Sequence, residues 1–312
     1  MKIYKALFFG TPDFAILPLN ALAKLSFINL LAVVTQPDKP VGKKQTITPP
    51  PVKNFALNKN LQLWQPEKIN TSEFESKLKK LSPDLIIIVA YGKIIPKNLI
   101  DIPKFGWLNL HASLLPKYRG ASPIQAAILH GEEKTGVTLM KINEGLDTGD
   151  IISQKVVSIT YTENFATLHD KLSETSAELL KKDLKKYLLG DLKTHPQGDS
   201  PTPVTKTISK ESGRINWNND AEQIDRQIRA YNPWPGTYTF WDKKRIKIID
   251  AEINMLPSNI EPGRIFVHGD KYYVGTITNA IKLNKIQLAG KKTMNIKDFI
   301  QGHPEFIKTK LK

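Results

Sequence analysis

Residues 3–9 are a nearly continuous apolar run that stops at Gly10-Thr11-Pro12-Asp13. A run without polar alternation predicts a strand buried on both faces. Pro12 suits the first position of a helix, and 14–25 then carries apolar residues at helical spacing. The pattern repeats. Strands are predicted at 30–34, 85–90 and 107–110, with helical stretches at 52–58 and 73–80. Buried strands separated by helices indicate a mostly parallel sheet covered on both faces. Further on, 136–140 and 151–159 read as strands flanking a loop, and 165–189 as one long helix. Segment 190–205 is rich in Pro, Gly, Asp, Thr and Ser and reads as a linker. Beyond it, 221–231 reads as a helix. Short strands follow at 237–241, 245–253, 263–267, 271–275 and 280–288, a spacing that suggests a small β-barrel or sandwich. Three segments are therefore expected: 1–189, a linker at 190–205, and 206–312.

Composition narrows the class. The chain has 312 residues, 40% of them apolar and 24% charged, which is globular and excludes a disordered or fibrous protein. It has no cysteine, which excludes disulfides, thiolate metal sites and a cysteine nucleophile. The longest unbroken apolar run, 85–91, is far short of a membrane span, and the N-terminus has no signal-peptide pattern. A cytoplasmic protein with no membrane partner, acting as a monomer, is the expectation.

The net charge of +15 is uneven. Residues 1–100 hold 14 basic and 6 acidic side chains, 101–200 hold 12 and 13, and 201–312 hold 19 and 11. Two basic segments flank a near-neutral middle. Lysine-rich solubility would account for this, and so would a polyanionic partner touched from both ends, nucleic acid being the commonest.

Several chemistries are missing their signatures. The turn after the first strand lacks the three glycines of a dinucleotide site, and no phosphate-binding Gly-x4-Gly-Lys-Ser/Thr loop occurs. The six histidines show no metal-ligand spacing, so no metal is expected, and there is no Gly-x-Ser-x-Gly elbow.

What remains is the segment after the strand at 107–110. Asn109 and His111 lie two apart on an extended chain, so they share a face. An amide donor beside an imidazole can stabilise an oxygen that gains charge and move a proton near neutral pH. The same residue types would also cap a strand end. Downstream, Asn143-Glu144-Gly145-Leu146-Asp147-Thr148-Gly149-Asp150 is a turn. Its aspartates either form the turn or send one carboxylate back to orient His111.

Five motifs in order resemble the methionyl-tRNA formyltransferase family. They are Phe9-Gly10-Thr11-Pro12-Asp13-Phe14, Thr35-Gln36-Pro37-Asp38-Lys39-Pro40, Asn109-x-His111-x-Ser113-Leu114-Leu115-Pro116-Lys117-Tyr118-Arg119-Gly120, Gly145-Leu146-Asp147-Thr148-Gly149-Asp150 and Asn232-Pro233-Trp234-Pro235-Gly236. The resemblance covers residues 3 to about 300. It implies a Rossmann-like, mostly parallel catalytic domain at 1–189 and an OB-like, tRNA-binding barrel at 206–312. It further implies Asn109, His111 and Asp147 as catalytic residues, and Ser113, Leu114, Leu115 and Pro116 as the loop contacting 10-formyltetrahydrofolate, the co-substrate. The acceptor would be the methionine amine of initiator Met-tRNA. The Asn-x-His and Leu-Asp-Thr-Gly pattern is shared with formyltetrahydrofolate enzymes that use an amino sugar nucleotide or water, so it identifies the chemistry and not the acceptor.

The acceptor must be read elsewhere. The stretch 36–53 carries Lys39, Lys43, Lys44 and Lys53 against Asp38 alone, and its prolines and Gly42 exclude regular structure. In the resembling family this is the loop that touches the acceptor arm. Lys43 stands where the family often has arginine; lysine is a point charge without the planar fork, so a phosphate contact is the role expected of it. Lys243, Lys244, Arg245, Lys291 and Lys292 make the C-terminal strands basic, as surfaces that track nucleic acid are. Trp234 and Trp241 are expected to pack, and no role is assigned to the other five histidines.

Overall fold

The computed structural model describes residues 2–42, 44–256 and 260–312. Lys43 lies outside them. Two compact units divide the chain. The first comprises Met1–Pro123, Lys134–Ser158 and His169–Thr205; the second comprises Ile124–Glu133, Ile159–Leu168 and Lys206–Lys312.

Along the chain come β1 (Tyr4–Gly10), α1 (Ile16–Ala23), β2 (Ile28–Val34), β3 (Lys39–Val41), β4 (Thr46–Thr48), α2 (Pro51–Asn58) and β5 (Leu63–Trp64). Then follow α3 (Ser72–Leu81), β6 (Leu85–Val89), α4 (Lys97–Ile100), β7 (Trp107–His111), α5 (Pro123–Leu129), β8 (Lys134–Lys141), β9 (Ile151–Ser158) and α6 (Phe165–Leu189). The main sheet has the order β5-β2-β1-β6-β7-β8-β9. Pairing is parallel from β5 through β7 and antiparallel from β7 to β9. All five residues of β6 are buried, and each contributes roughly 1.5–3 kcal/mol by leaving water. One packed cluster joins Leu7, Phe9, Val34, Ile86, Ile88 and Trp107 across four strands.

Local chemistry sets the element ends. Thr71 Oγ1 accepts the Phe74 N–H at 3.2 Å and starts α3, glutamates occupy its first turn and lysines its last, and Ser82 ends it at φ 49°. A Cβ on Gly10 would come within 2.7 Å of the Phe8 ring and 2.8 Å of Ala15, so glycine is what lets the chain turn at the sheet's carboxyl end.

One expectation needs correction. The stretch 36–53 is not free of regular structure, because β3 and β4 pair antiparallel as a short ribbon and α2 begins at Pro51. Prolines fit there because a two-stranded ribbon has outer edges that need no N–H. The stretch 190–205, read as a linker, is tied to the first unit. His195 and Ile151 exchange backbone hydrogen bonds at 2.8 Å, and Thr205 N–H donates to the Arg119 carbonyl at 2.7 Å.

The second unit contains α7 (Ala221–Ala230), β10 (Thr237–Trp241), β11 (Lys244–Asn254), β12 (Ile265–His268), β13 (Lys271–Gly275), β14 (Ala280–Leu288), β15 (Met294–Asn295) and α8 (Ile296–Gly302). Its strands pair antiparallel in the order β10-β11-β14-β13-β12, with β15 beside β14. Trp241 is buried at its centre, edge-on to Phe299 and Phe306 at 5.8 and 5.3 Å. Trp234 does not pack as expected: it is 52% exposed. No helix among the described residues is long and apolar enough to cross a membrane.

Candidate active site

Strand β7 presents Asn109 and His111 on one face, between β6 and β8. Asn109 is in register with Ile88 and Met140, and His111 with Thr138. His111 is buried and Asn109 half-buried. The Asn109 amide makes no hydrogen bond within the chain among the described residues, so its donors are available to a ligand. His111 is fixed. Its Nε2 lies 3.0 Å from the Tyr118 carbonyl, which can only accept, so Nε2 carries a proton. The basic Nδ1 then faces Asp147 Oδ2 at 3.7 Å, too far for a direct hydrogen bond.

Asp147 reaches this position from the β8–β9 loop, at φ 52°. Aspartate tolerates that left-handed conformation better than most residues. Its Oδ2 accepts the Gly120 N–H at 2.8 Å. Asn143 Oδ1 braces the loop by accepting from Gly145 N–H and Thr148 Oγ1 at 3.1 and 2.9 Å. A Cβ on Gly149 would fall 1.9 Å from the Lys141 carbonyl oxygen, so only glycine fits.

Residues the sequence reading missed hold this loop from outside. Gln197 Nε2 donates to the carbonyls of Asp147 and Gly149 at 3.0 and 2.7 Å. Its Oε1 accepts from Arg119 Nε and Nη2 at 3.0 and 2.9 Å.

The segment Ser113 to Pro116 is anchored from β8 and β9. Thr138 Oγ1 donates to the Ser113 carbonyl at 2.7 Å and accepts the Leu115 N–H at 3.1 Å. Gln154 Nε2 donates to the Leu115 carbonyl at 2.9 Å. The buried Ser113 hydroxyl donates to the Lys117 carbonyl at 2.6 Å and closes the turn. Leu114 and Pro116 are the members left half-exposed. A half-exposed amide with free donors and, a few residues on, two half-exposed apolar side chains suit a flat ligand that presents one carbonyl.

Of the basic candidates, Lys39 and Lys44 are exposed, and the Lys39 ammonium donates to Gln36 Oε1. Lys53 instead pairs with Asp38 at 2.8 Å. In the second unit, Ala289 N–H donates to the Arg245 carbonyl at 3.0 Å. That bond brings the turn bearing Lys291 and Lys292 beside Lys243, Lys244 and Arg245. The Arg245 guanidinium lies 3.5 Å from the Tyr238 ring centre, and the Lys244 ammonium 5.0 Å from that of Trp241. One histidine given no role also sits in a charged cluster: His169 Nε2 is 3.4 Å from Asp13 Oδ1, and its Nδ1 2.9 Å from Asp170 Oδ1.

An amide, an imidazole and a carboxylate thus gather at the end of β7, where the sheet passes from parallel to antiparallel pairing, and the class of protein that carries them follows from its relatives. Residues 3–184 match the formyl transferase family, and residues 207–304 match the formyl transferase C-terminal domain. The chain is 46% identical to the methionyl-tRNA formyltransferase of Thermodesulfovibrio yellowstonii, covering 95% of each protein. It is 43% identical to that of Staphylococcus aureus, covering 96% of each. An N-formyltransferase from Helicobacter canadensis, solved with folinic acid and dTDP-3-aminofucose, shares the fold with a TM-score of 0.66 and 21% identity over 90% of this chain and 98% of that one. The chain belongs to the methionyl-tRNA formyltransferase family.

Proposed function

We infer that this protein transfers the formyl group of 10-formyltetrahydrofolate to the α-amino group of methionine on initiator tRNA, in the cytoplasm and as a monomer. The observation that carries the reading is the convergence of Asn109, His111 and Asp147 at the carboxyl end of the sheet, in a chain of this family. Catalysis is assigned to 1–189 and tRNA binding to 206–312, with 190–205 between them.

When bound, 10-formyltetrahydrofolate supplies a formyl carbon open to an amine. Asn109 donates its free amide hydrogens toward the formyl oxygen as that oxygen gains charge; one such donor is worth roughly 10²–10³ in rate. His111 Nδ1 and Asp147 Oδ2 are two acceptors facing each other across 3.7 Å, an arrangement completed by a donor between them. The attacking amine, or a water relaying its proton, is that donor. Nδ1 takes the proton as the amine nitrogen bonds to the formyl carbon, and the resulting imidazolium is paired with Asp147 and leaves positive charge beside the developing oxyanion. When the adduct collapses, the bond from the formyl carbon to the folate N10 breaks, the imidazolium returns the proton to N10, and tetrahydrofolate leaves. Tyr118 keeps the ring oriented throughout. Leu114 and Pro116 line the folate side, positioned by Thr138 and Gln154. Lys39, Lys44 and the cluster of Lys243, Lys244, Arg245, Lys291 and Lys292 contact phosphates, which fixes position and not sequence.

The test is incubation with labelled 10-formyltetrahydrofolate and charged initiator Met-tRNA, charged elongator Met-tRNA, or no acceptor. Label on the initiator methionine alone is the expected result. Formate released without acceptor would make the protein a hydrolase and contradict the reading.

A further inference from the structure

A surface hollow of about 520 Å³ lies between segment 67–70 and segment 93–96, both in the first unit. The volume falls in the range of about 300–1,000 Å³ typical of ligand sites. Its wall is apolar: Ile69 is buried, Pro96 half-buried, and Ile94 85% exposed with nothing covering it. Its rim is cationic, with Lys68 and Lys93 against Glu67. The Lys93 ammonium donates to the Glu67 carbonyl at 2.6 Å. It sits below the ordinary lysine range, first through burial and then through the charge of Lys39 on the 36–53 stretch. The link is geometric as well: the Lys39 ammonium donates to Gln36 Oε1, and the Gln36 amide donates to the Tyr91 carbonyl two residues before Lys93. One glutamine thus ties both lysines to the same segment, and like charges gathered there favour an anion.

The position of the hollow is informative. Gln36 Nε2 donates to the Tyr91 carbonyl at 2.6 Å, joining the foot of the 36–53 stretch to the segment that continues into Lys93. At the other end, Lys97 pairs with Glu144 at 2.6 Å, joining the same segment to the loop that carries Asp147. Residues 91–97 therefore run as one floor between two tethers, the first to the foot of the 36–53 stretch and the second to the loop that carries Asp147.

We propose that this floor is a nucleotide subsite: Lys93 and Lys39 hold a phosphate of the unpaired 3′ end of the acceptor strand, and the adjoining base lies on Ile94 and Pro96. This rests on the functional reading above, in which that strand must reach Asp147. Lys93 was not among the basic residues singled out from sequence, because a single lysine after a buried strand carries no pattern.

The test measures KM and saturating kcat for Met-tRNA against salt concentration, in the wild type, Lys93→Gln, Ile94→Asp and the control Lys59→Gln, whose site is an exposed helix end. Each lysine–phosphate contact contributes about 0.7–1 to the slope of log affinity on log salt. Lys93→Gln is expected to raise KM several-fold, leave kcat unchanged and flatten the slope by about that amount. Ile94→Asp, which removes no packing, is expected to raise KM further by placing an anion beside the phosphate. Lys59→Gln is expected to match the wild type. If the wild type formylates Met-tRNA and both Lys93→Gln and Ile94→Asp keep its KM and slope, the subsite is overturned while the functional reading stands. If the wild type does not formylate Met-tRNA at all, both fall.

Discussion

Gly120 donates its backbone N–H to Asp147 Oδ2 at 2.8 Å, and that single bond aims the carboxylate at His111 from a residue held at φ 52°. The aim depends on the whole 143–150 loop keeping its shape. Gly149 is the tightest point in it. Gly149→Ala would drive a methyl group into the Lys141 carbonyl, which is backbone and cannot swing away. We expect it to cost about 1–3 kcal/mol in urea unfolding, as overpacking typically does, and to lower formyl transfer as well. Gly198→Ala, where nothing lies within 4 Å of the new Cβ, should be neutral in both measurements.

Gln197 fixes the same loop through the Asp147 and Gly149 carbonyls without touching the reacting atoms. Gln197→Ala should therefore lower kcat by roughly tenfold to a hundredfold through misplacement of Asp147, with little change in KM for the folate. Gln197→Glu keeps the carbon chain but cannot donate to two carbonyls, so it should not rescue. An unchanged kcat in both variants would remove Gln197 from the positioning role.

These two residues show where sequence reading reaches and where it stops. Strand β7 and its Asn-x-His pair were legible because an apolar run predicts a buried strand and a spacing of two fixes a shared face. The 165–189 helix and most of the second unit's strands were legible for the same periodic reason. Gln197 was not, because it lies in a stretch whose Pro, Gly and Ser content signals only irregular chain, and irregular chain can be anchored as firmly as a strand. Thr138 and Gln154 were hidden differently. Each is one of several polar residues in its strand, and only the folded register shows that these two reach the Ser113–Pro116 segment. The ribbon of β3 and β4 escaped because its strands are three residues long.

His169 offers a pH signature. Its imidazole is held above the ordinary value of 6.5, first by the hydrogen bond with Asp13, with burial opposing and Asp170 adding. Asp13 is held below its ordinary 3.8, chiefly by the same bond. A raised histidine stabilises fully below its unfolded pKa and loses that contribution as pH climbs through the folded one; a lowered aspartate stabilises above its unfolded pKa and loses its share as pH falls through the lowered one. The stability gap between wild type and His169→Gln should thus be full between about pH 4 and 6.5 and shrink as pH rises above 6.5. Urea midpoints across pH check this, and a gap that does not vary with pH would refute it.

The central claim is that Asn109 and the His111–Asp147 pair carry the transfer step. The Asn109 side-chain amide makes no hydrogen bond among the described residues, so truncating it separates chemistry from folding. The most direct measurement is single-turnover formyl transfer to Met-tRNA by Asn109→Ala and Asp147→Asn, alongside their thermal midpoints. The account predicts that Asn109→Ala melts with the wild type and transfers roughly 10²–10³ times more slowly, and that Asp147→Asn loses at least as much. Transfer at the wild-type rate by either variant would contradict it.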